Sequence, residues 1–306
     1  MEIYLARIQG FCAGVASAIE TVERALAKYG TPLYVFHEIV HNTSVVERFR
    51  ARGVIFVDDI EKIPHGSRVI FSAHGVAPSV VEHAKTRKLK YIDATCPLVT
   101  KVHREAANLS KKGIVTILIG HRNHEELVGT AGYVDPKLLW FVNTQEDIKN
   151  LNIDSDKPVG YITQTTLSSV DTAALIAQLK EKFPKLISPP KDDICCATQN
   201  RQDAVRELAK MCDMIIICGS KNSSNSNRLK ETAEKEGVRV IMIDTADDFN
   251  PDLLEGHCRV GISSGASVPR MIVDALIKKI QTKYPDVKIH TAAQASKEIT
   301  FTVPEV

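Results

Sequence analysis

Three cysteines stand in sequence settings that favour metal binding. Cys12 lies in GFCAG, Cys96 in DATCP and Cys195 in DDICCAT, and a helix is predicted to begin directly after each of them. A thiolate at a helix N-terminus is stabilised by the helix dipole and by N–H groups that have no partner within the helix. Three separated thiols predict a site assembled from distant loops, with one coordination position left open for a substrate.

The spacing of these cysteines does not by itself name the metal. Zinc ribbons and common ferredoxins use paired C-x2-C ligands, and the sequence contains none. The seven cysteines also lack the spacing of a disulfide framework, which indicates a reducing compartment. Any one cysteine could instead be a small buried hydrophobic residue, so the metal site rests on the three settings taken together.

Histidines and short polar side chains follow several of the predicted strands. His41 lies in EIVHN, His74 in SAHG and His124 in GHRNHEE, while GSKNSSNSN at 219–227 opens a helix. Hydroxyl and amide groups beside helix N–H groups can bind a phosphate, and N-capping or backbone hydrogen bonding is the simpler alternative. No P-loop and no G-x-G-x-x-G motif is present, so the sequence does not indicate a nucleotide.

Apolar strands and amphipathic helices alternate along the whole chain. Residues 13–29 carry an apolar stripe at helical spacing. Strands are predicted from continuous apolar runs at 33–36, 69–71, 115–119, 159–162, 214–217, 238–243 and 260–262. Such runs are typical of parallel sheets that are buried on both faces, so the pattern predicts an α/β fold. Several of the strands end in polar turns, and ligands bind at strand ends of this kind.

A repeated spacing predicts the domain organisation. Cys96 precedes His124 by 28 residues, and Cys195 precedes Ser223 by the same number. Each pair brackets a helix, a strand and a polar turn, which predicts similar α/β units. The predicted organisation is a first α/β unit with an N-terminal strand at 1–96, a second unit at 97–193, a third unit at 194–281 and a C-terminal tail at 282–306. A last strand candidate lies at 298–303.

The composition argues against two classes of partner. The 306 residues include 39 Lys and Arg against 37 Asp and Glu, and this near-neutral balance provides no field to attract nucleic acid or a membrane. The N-terminus lacks a secretory signal, and no run approaches the ~18 apolar residues of a membrane-spanning helix. We therefore expect a cytoplasmic protein that binds neither nucleic acid nor a membrane.

The motifs, taken in order, resemble those of a known family. GFCAGV, HEIVHN, FSAHGV, DATCPLVTKVH, ILIGH, TQTTLS, DDICCATQNRQ, GSKNSSNSNRL and SSGASVP are together similar to the LytB family of 4-hydroxy-3-methylbut-2-enyl diphosphate reductases, in its bacterial form. The resemblance runs from about residue 3 to residue 281. It implies three similar α/β units, each with a small and mostly parallel sheet, in a clover arrangement around a central iron–sulfur cluster.

The resemblance also implies roles for individual residues. It implies cluster binding by Cys12, Cys96 and Cys195, and catalysis by Glu126 and Thr165. The residues for which it implies substrate binding are His41, His74, His124, Thr165, Ser223, Ser224, Asn225 and Ser267.

Two positions leave the assignment of these roles ambiguous from sequence. Cys196 is an unexpected second thiol beside the ligand position Cys195, and Glu125 is a second carboxylate beside Glu126. The register of the family motifs favours Cys195 as the ligand and Glu126 as the acid.

The chemistry that the resemblance implies is a reductive dehydroxylation. One [4Fe-4S] cluster per chain, with one iron lacking a protein ligand, would serve the conversion of (E)-4-hydroxy-3-methylbut-2-enyl diphosphate to isopentenyl and dimethylallyl diphosphates. This conversion is the last step of the non-mevalonate isoprenoid pathway. Because no flavin or nicotinamide motif is visible, the electrons are expected from an external ferredoxin or flavodoxin.

The diphosphate would need positive charge nearby, and the histidines could supply it. An imidazole has an unperturbed pKa of ~6.5, which a neighbouring anion raises readily. Two alternatives to the reductase remain open from sequence. They are a zinc-dependent hydrolase that uses the same three cysteines and a non-enzymatic iron–sulfur sensor.

Overall fold

The computed structural model describes residues 1–154, 156–291 and 300–306. Strands and helices alternate through these residues, as predicted. The strands are β1 (Glu2–Leu5), β2 (Leu33–Phe36), β3 (Val54–Val57), β4 (Arg68–Phe71), β5 (Lys90–Asp93), β6 (Val115–Ile119), β7 (Leu139–Val142), β8 (Val159–Thr163), β9 (Met214–Cys218), β10 (Arg239–Ile243), β11 (Arg259–Ser264) and β12 (Lys288–Thr291). The α-helices are α1 (Ala13–Tyr29), α2 (Thr43–Arg50), α3 (Pro78–Thr86), α4 (Pro97–Lys111), α5 (Glu125–Ala131), α6 (Gln145–Lys149), α7 (Ser169–Lys182), α8 (Cys196–Ala209), α9 (Ser224–Lys235) and α10 (Arg270–Lys283). None of these described helices is long and apolar enough to cross a membrane.

The chain divides into two compact units. Unit 1 comprises Met1–Ala16, Val40–Ala51 and Cys196–Thr300, and unit 2 comprises Ser17–Ile39, Arg52–Cys195 and Phe301–Val306. Unit 1 holds one five-stranded sheet in the order β10-β9-β11-β1-β12. Unit 2 holds a four-stranded sheet in the order β3-β2-β4-β5 and a three-stranded sheet in the order β7-β6-β8. All strand pairs in the three sheets are parallel.

The sheet of unit 1 is covered by helices on both faces. On one face Met214 and Ile216 of β9 belong to a core cluster with Leu276 of α10. On the other face Ile215 and Ile217 belong to a cluster with residues of α8 and α9. Successive strand residues point to opposite faces, so a strand covered on both sides is apolar at every position.

The three-stranded sheet of unit 2 follows the same rule. Ile117 of the central strand β6 packs in a cluster with residues of α6 and α7. The next residue, Leu118, packs on the opposite face in a cluster with Val102 and Ala106 of α4. The packing of α4 also fixes the position of Cys96, because this cysteine immediately precedes the helix.

The predicted α/β fold with small parallel sheets is confirmed, and α1 covers the predicted residues 13–29. The sequence did not predict β3, β5, β7 or β12. Each of these strands is 4 residues long and lies at the edge of its sheet. A run of this length carries too little periodicity to separate a strand from a piece of helix.

The predicted boundaries of three α/β units stay a prediction. The prediction places strand β1 in the α/β unit at 1–96. In the structure β1 pairs with β11 and β12, in the five-stranded sheet. Strand β12 lies in the segment predicted as a tail. Of the strand candidate at 298–303, residues 298 and 299 lie outside the described residues, and 300–303 form no strand.

The repeated spacing corresponds to two segments that fold alike. Cys96 is followed by α4, β6 and His124, which is the N-cap residue of α5. Cys195 is followed by α8, β9 and Ser223, which is the N-cap residue of α9. Each segment therefore begins with a cysteine at a helix start and ends with a polar N-cap residue after the following strand.

Candidate functional site

All three cysteines singled out by the sequence lie at helix N-termini. Cys12 precedes α1 and its carbonyl accepts the first helical hydrogen bond, from the N–H of Ala16 at 2.9 Å. Cys96 is the N-cap residue of α4, and its carbonyl accepts from the N–H of Thr100 at 2.9 Å. Cys195 directly precedes α8. All three cysteines are partly exposed and lie outside any disulfide, which is the setting in which a thiolate binds a metal.

The backbone at each of these cysteines is fixed by a hydrogen bond to a second strand end. The N–H of Cys12 donates to the carbonyl of Ala266 at 2.9 Å within unit 1. Within unit 2, the N–H of Cys96 donates to Ala73 at 3.0 Å and that of Cys195 donates to Thr165 at 3.1 Å. The thiols are therefore carried on backbone that is already ordered without a ligand.

The other cysteines have different surroundings. Cys212 and Cys218 are buried, and burial raises the pKa of their thiols to about 11 and about 12. These two thiols stay neutral near neutral pH and act as small hydrophobic residues. Cys196 and Cys258 are exposed.

In unit 1 the ends of β9 and β11 bring together four of the predicted substrate-binding residues. Ser223 caps α9 by accepting the N–H of Ser226 at 3.3 Å, and the side-chain carbonyl of Asn225 accepts the N–H of Ala266 at 2.8 Å. The hydroxyl of Ser267 donates to the backbone carbonyl of His41 at 2.8 Å. Ser223, Asn225 and Ser267 are all buried. Two of these residues adjoin Ala266, because Asn225 accepts its N–H and Ser267 follows it in sequence. The carbonyl of Ala266 in turn accepts the N–H of Cys12.

The side-chain amide of Asn225 has donor capacity to spare. Its Nδ2 is buried, and no residue in the described part of the chain accepts a hydrogen bond from it. A buried donor without an acceptor costs free energy, so its presence favours a ligand that brings oxygen atoms. Ser224, the last of the predicted substrate-binding residues in unit 1, is the first residue of α9.

Two glycines in the same group are required by close packing. A Cβ atom on either Gly219 or Gly265 would lie 2.2 Å from the Oγ of Ser226. Glycine at both positions therefore lets the turns after β9 and β11 close around the start of α9. This explains why both polar turns contain a glycine.

In unit 2 the ends of β6 and β8 bring Glu126 and Thr165 together. The Oε1 of Glu126 accepts the N–H of Thr165 at 2.6 Å, and the Oε2 accepts the hydroxyl of Thr165 at 2.8 Å. Glu126 is only 2% exposed. Both oxygens of a buried carboxyl group are thus held by one residue, an arrangement in which a proton can pass between the carboxyl group and the hydroxyl.

The neighbouring Glu125 has another partner. Its Oε2 lies 3.0 Å from the Nδ1 of His74, and its Oε1 lies 3.9 Å from the Nδ1 of His37. Glu125 and His74 form an ion pair whenever the imidazole is protonated. The two adjacent carboxylates therefore have separate surroundings, and the geometry favours Glu126 as the partner of Thr165.

His124 differs from His74 in the hydrogen bond that it makes. Its Nδ1 accepts the N–H of Glu126 at 3.1 Å and so caps α5. With Nδ1 as the acceptor, the proton of a neutral imidazole lies on Nε2, from which the ring can donate a hydrogen bond. That the histidines supply positive charge to a diphosphate stays a prediction.

His103 supports the turn that carries His74. It is buried on α4, stacks on Tyr133 with ring centroids 4.4 Å apart, and burial lowers its pKa to about 4. A Cβ atom on Gly75, where φ is +76°, would lie 2.5 Å from the Cε1 of His103. The neutral ring of His103 is therefore part of the packing beneath the SAHG turn.

Sequence reasoning missed the residues that support these side chains. The Oε1 of Gln164 accepts the N–H of His121 at 3.1 Å. The hydroxyl of Ser220 accepts the N–H of Thr43 at 3.1 Å and donates to Asp244. These two hydrogen bonds fix the first residue of α2, which lies two residues after His41. Gln164 and Ser220 lie in the polar turns that the sequence did single out, but their partners are far away along the chain.

The sequence profile described as LytB protein matches residues 3–281 of the chain. A protein of Nitrosomonas europaea, called 4-hydroxy-3-methylbut-2-enyl diphosphate reductase, is 46% identical over 312 aligned positions, which cover 100% of this chain and 97% of that protein. The sequence similarity thus extends over the full length of both proteins.

Two solved structures are similar to the fold. One is the E-1-hydroxy-2-methyl-but-2-enyl-4-diphosphate reductase from Plasmodium falciparum, with a TM-score of 0.94, 36% identity, and coverage of 99% of this chain and 95% of that one. The other is described as (E)-4-hydroxy-3-methyl-but-2-enyl diphosphate reductase, the terminal enzyme of the non-mevalonate pathway. It has a TM-score of 0.66, 33% identity, and coverage of 92% of this chain and 100% of that one.

Proposed function

The chain belongs to the LytB protein family, and we propose that it reduces (E)-4-hydroxy-3-methylbut-2-enyl diphosphate to isopentenyl and dimethylallyl diphosphates. This reaction is the last step of the non-mevalonate isoprenoid pathway. The observation that carries the proposal is the set of three partly exposed thiols, each of which stands at a helix N-terminus. The polar residues at the ends of β6, β8, β9 and β11 suit a diphosphate, because their hydroxyl, amide and imidazole groups can donate hydrogen bonds to its oxygen atoms.

Cys12, Cys96 and Cys195 would hold the iron–sulfur cluster. One thiol at each of three helix starts is a donor set of three, so a [4Fe-4S] cluster, one per chain, would keep one iron without a protein ligand. When bound, the cluster would pass the electrons of the external donor to the substrate and would offer a Lewis-acidic iron for the substrate hydroxyl. The register of the motif favours Cys195 over the exposed Cys196 as the third ligand.

The diphosphate would be bound by polar residues that are buried or partly buried. In unit 1 these are His41, Ser223, Ser224, Asn225 and Ser267, with the unsatisfied amide of Asn225 as a donor aimed at oxygen. In unit 2 they are His74 and His124. Either imidazole could donate a hydrogen bond to a diphosphate oxygen, and a protonated ring would also supply positive charge.

Glu126 and Thr165 would deliver the proton that removes the hydroxyl group. The overall change takes up two electrons and two protons, breaks the allylic C–O bond, forms a C–H bond and releases water. Without a proton the oxygen would leave as hydroxide, which is a poor leaving group. The hydroxyl of Thr165 lies 2.8 Å from Glu126, so it can pass a proton from the carboxyl group to the substrate oxygen.

The electrons would come from a separate protein. The chain carries no flavin or nicotinamide motif, so a ferredoxin or flavodoxin is the proposed donor. The cytoplasm is the proposed location, since donors of this kind and the reducing conditions that free thiols require are found there.

The proposal is tested by the absorption spectrum and metal content of protein purified without oxygen. The expected preparation is brown, with about four irons per chain, and loses its colour in air. Stoichiometric zinc without visible absorption would favour the hydrolase. A cluster whose spectrum does not respond to the diphosphate substrate would favour the sensor.

A further inference from the structure

A buried ion pair joins the helix that follows Cys96 to the segment that leads into Cys195. The Nζ of Lys101, on α4, lies 2.9 Å from the Oδ1 of Asp193. The same ammonium group donates to the backbone carbonyls of Lys191 at 2.8 Å and Asp192 at 3.3 Å. One side chain thus holds three consecutive residues just before Cys195. We call Lys101 and Asp193 the clamp.

The second oxygen of Asp193 also has a partner in the site. Its Oδ2 accepts the backbone N–H of Thr163, at the end of β8, at 3.0 Å. Two residues further along both segments, the N–H of Cys195 donates to the carbonyl of Thr165 at 3.1 Å. The clamp therefore fixes the chain at Cys195 against the strand end that carries Thr165.

The burial of the clamp makes it sensitive to the loss of either partner. The side chain of Asp193 is 0% exposed, and that of Lys101 is 28% exposed. Glu105, one helical turn after Lys101, places a second carboxylate oxygen 3.4 Å from the same ammonium group. Removing the cation would leave a buried carboxylate without its counter-charge, and the segment that Asp193 belongs to would have to rearrange.

The clamp lies within one compact unit, together with two of the three proposed cluster ligands. Lys101 is one and a half turns along α4 from Cys96, which is the N-cap residue of that helix. Asp193 is two residues from Cys195. Because α4 is a continuous helix over this length, the ion pair links the backbone at Cys96 to the backbone at Cys195.

We propose that Lys101 is a positioning residue for the iron–sulfur cluster, which holds Cys96 and Cys195 at the separation that the cluster requires. This inference rests on the proposed function, since it assumes that these two thiols bind the cluster. A site ordered in advance loses its metal more slowly, because ligands that stay in place rebind a dissociating iron.

The test compares iron release from anaerobically reconstituted Lys101→Met and wild-type protein. Release to an excess of chelator is followed by the loss of visible absorption. Because supporting residues around metal sites are worth roughly 10–100-fold in metal affinity, Lys101→Met is expected to release iron at least about tenfold faster. Lys101→Arg, which keeps the charge and the donors, should release iron at close to the wild-type rate.

Two control variants separate positioning from general stability. Lys149→Met removes an exposed lysine that pairs with Glu146 on α6 and should leave the rate unchanged. Leu151→Ala weakens the core of the same unit and keeps both residues of the clamp. The unfolding midpoint of each cluster-free variant is measured beside its release rate. Should Lys101→Met not fold, Lys101→Gln replaces it, since an amide can still donate to one carbonyl.

The outcomes distinguish the inference from the proposed function. Faster release from Lys101→Met than from an equally destabilised Leu151→Ala supports a positioning role. Equal release rates from these two variants, or a wild-type rate in Lys101→Met, would overturn it. Wild-type protein that binds no iron at all would instead refute the proposed function.

Discussion

Acidification should destabilise the protein through one buried histidine. His103 is 4% exposed, and no described residue makes a hydrogen bond to its Nε2. Burial lowers its pKa from 6.5 to about 4, because the charged imidazolium would lose its hydration, and the nearby Asp93 offsets only part of this effect. In the unfolded chain the same ring is exposed and regains its ordinary pKa.

The sign and size of the effect follow from these two pKa values. The unfolded chain takes up a proton as the pH falls through 6.5, while folded His103 stays neutral until about pH 4. The stability that comes from keeping His103 neutral is therefore fully present above about pH 6.5, and it is lost progressively as the pH falls toward 4. Between about pH 7.5 and about pH 5 the expected loss is about 2 kcal/mol.

The measurement is urea unfolding of cluster-free protein at these two pH values, for wild type and for His103→Leu. Leucine has a similar volume and cannot titrate, so the difference between the two pH dependences isolates His103. The wild-type free energy of unfolding should fall by about 2 kcal/mol more than that of the variant. Equal pH dependences in the two proteins would show that His103 is protonated as easily in the fold as outside it.

Two pairs of substitutions test the assignment of the site residues. Glu126→Gln should lower turnover by ~10²–10⁴-fold with little change in KM, because it removes a positioned acid while keeping its shape. Glu125→Gln is the control, and wild-type turnover of Glu126→Gln with a reduced, fully loaded cluster would contradict the role. Cys195→Ser should lose the cluster or its activity, while Cys196→Ser should keep most of both, as measured by iron content and turnover. The reverse pattern would move the ligand position by one residue.

The fold was largely predictable because its signals are local. The run MIIIC in β9 is apolar at every position, and this pattern requires a strand covered on both faces. Positions such as Cys96 before Pro97 predicted a thiol at a helix start from adjacent residues alone. The short edge strand β5, with the sequence KYID, gave no such signal because none of its residues is buried.

The partners of the site residues were not predictable, because they are distant in sequence. Glu126 and Thr165 are 39 residues apart, and Lys101 and Asp193 are 92 residues apart. Each residue alone has an ordinary explanation, as a helix first-turn acid or an exposed lysine. Only the packing of α4 and α5 against β6 and β8 brings them within hydrogen-bonding distance.

The decisive measurement is product formation from (E)-4-hydroxy-3-methylbut-2-enyl diphosphate by anaerobic, chemically reduced protein whose iron content has been determined. Protein with about four irons per chain should form both isopentenyl and dimethylallyl diphosphates, with one water released for each substrate consumed. Iron-free protein from the same preparation should form neither product. Unchanged substrate after incubation with fully loaded, reduced protein would contradict the assignment of this chain as a reductase.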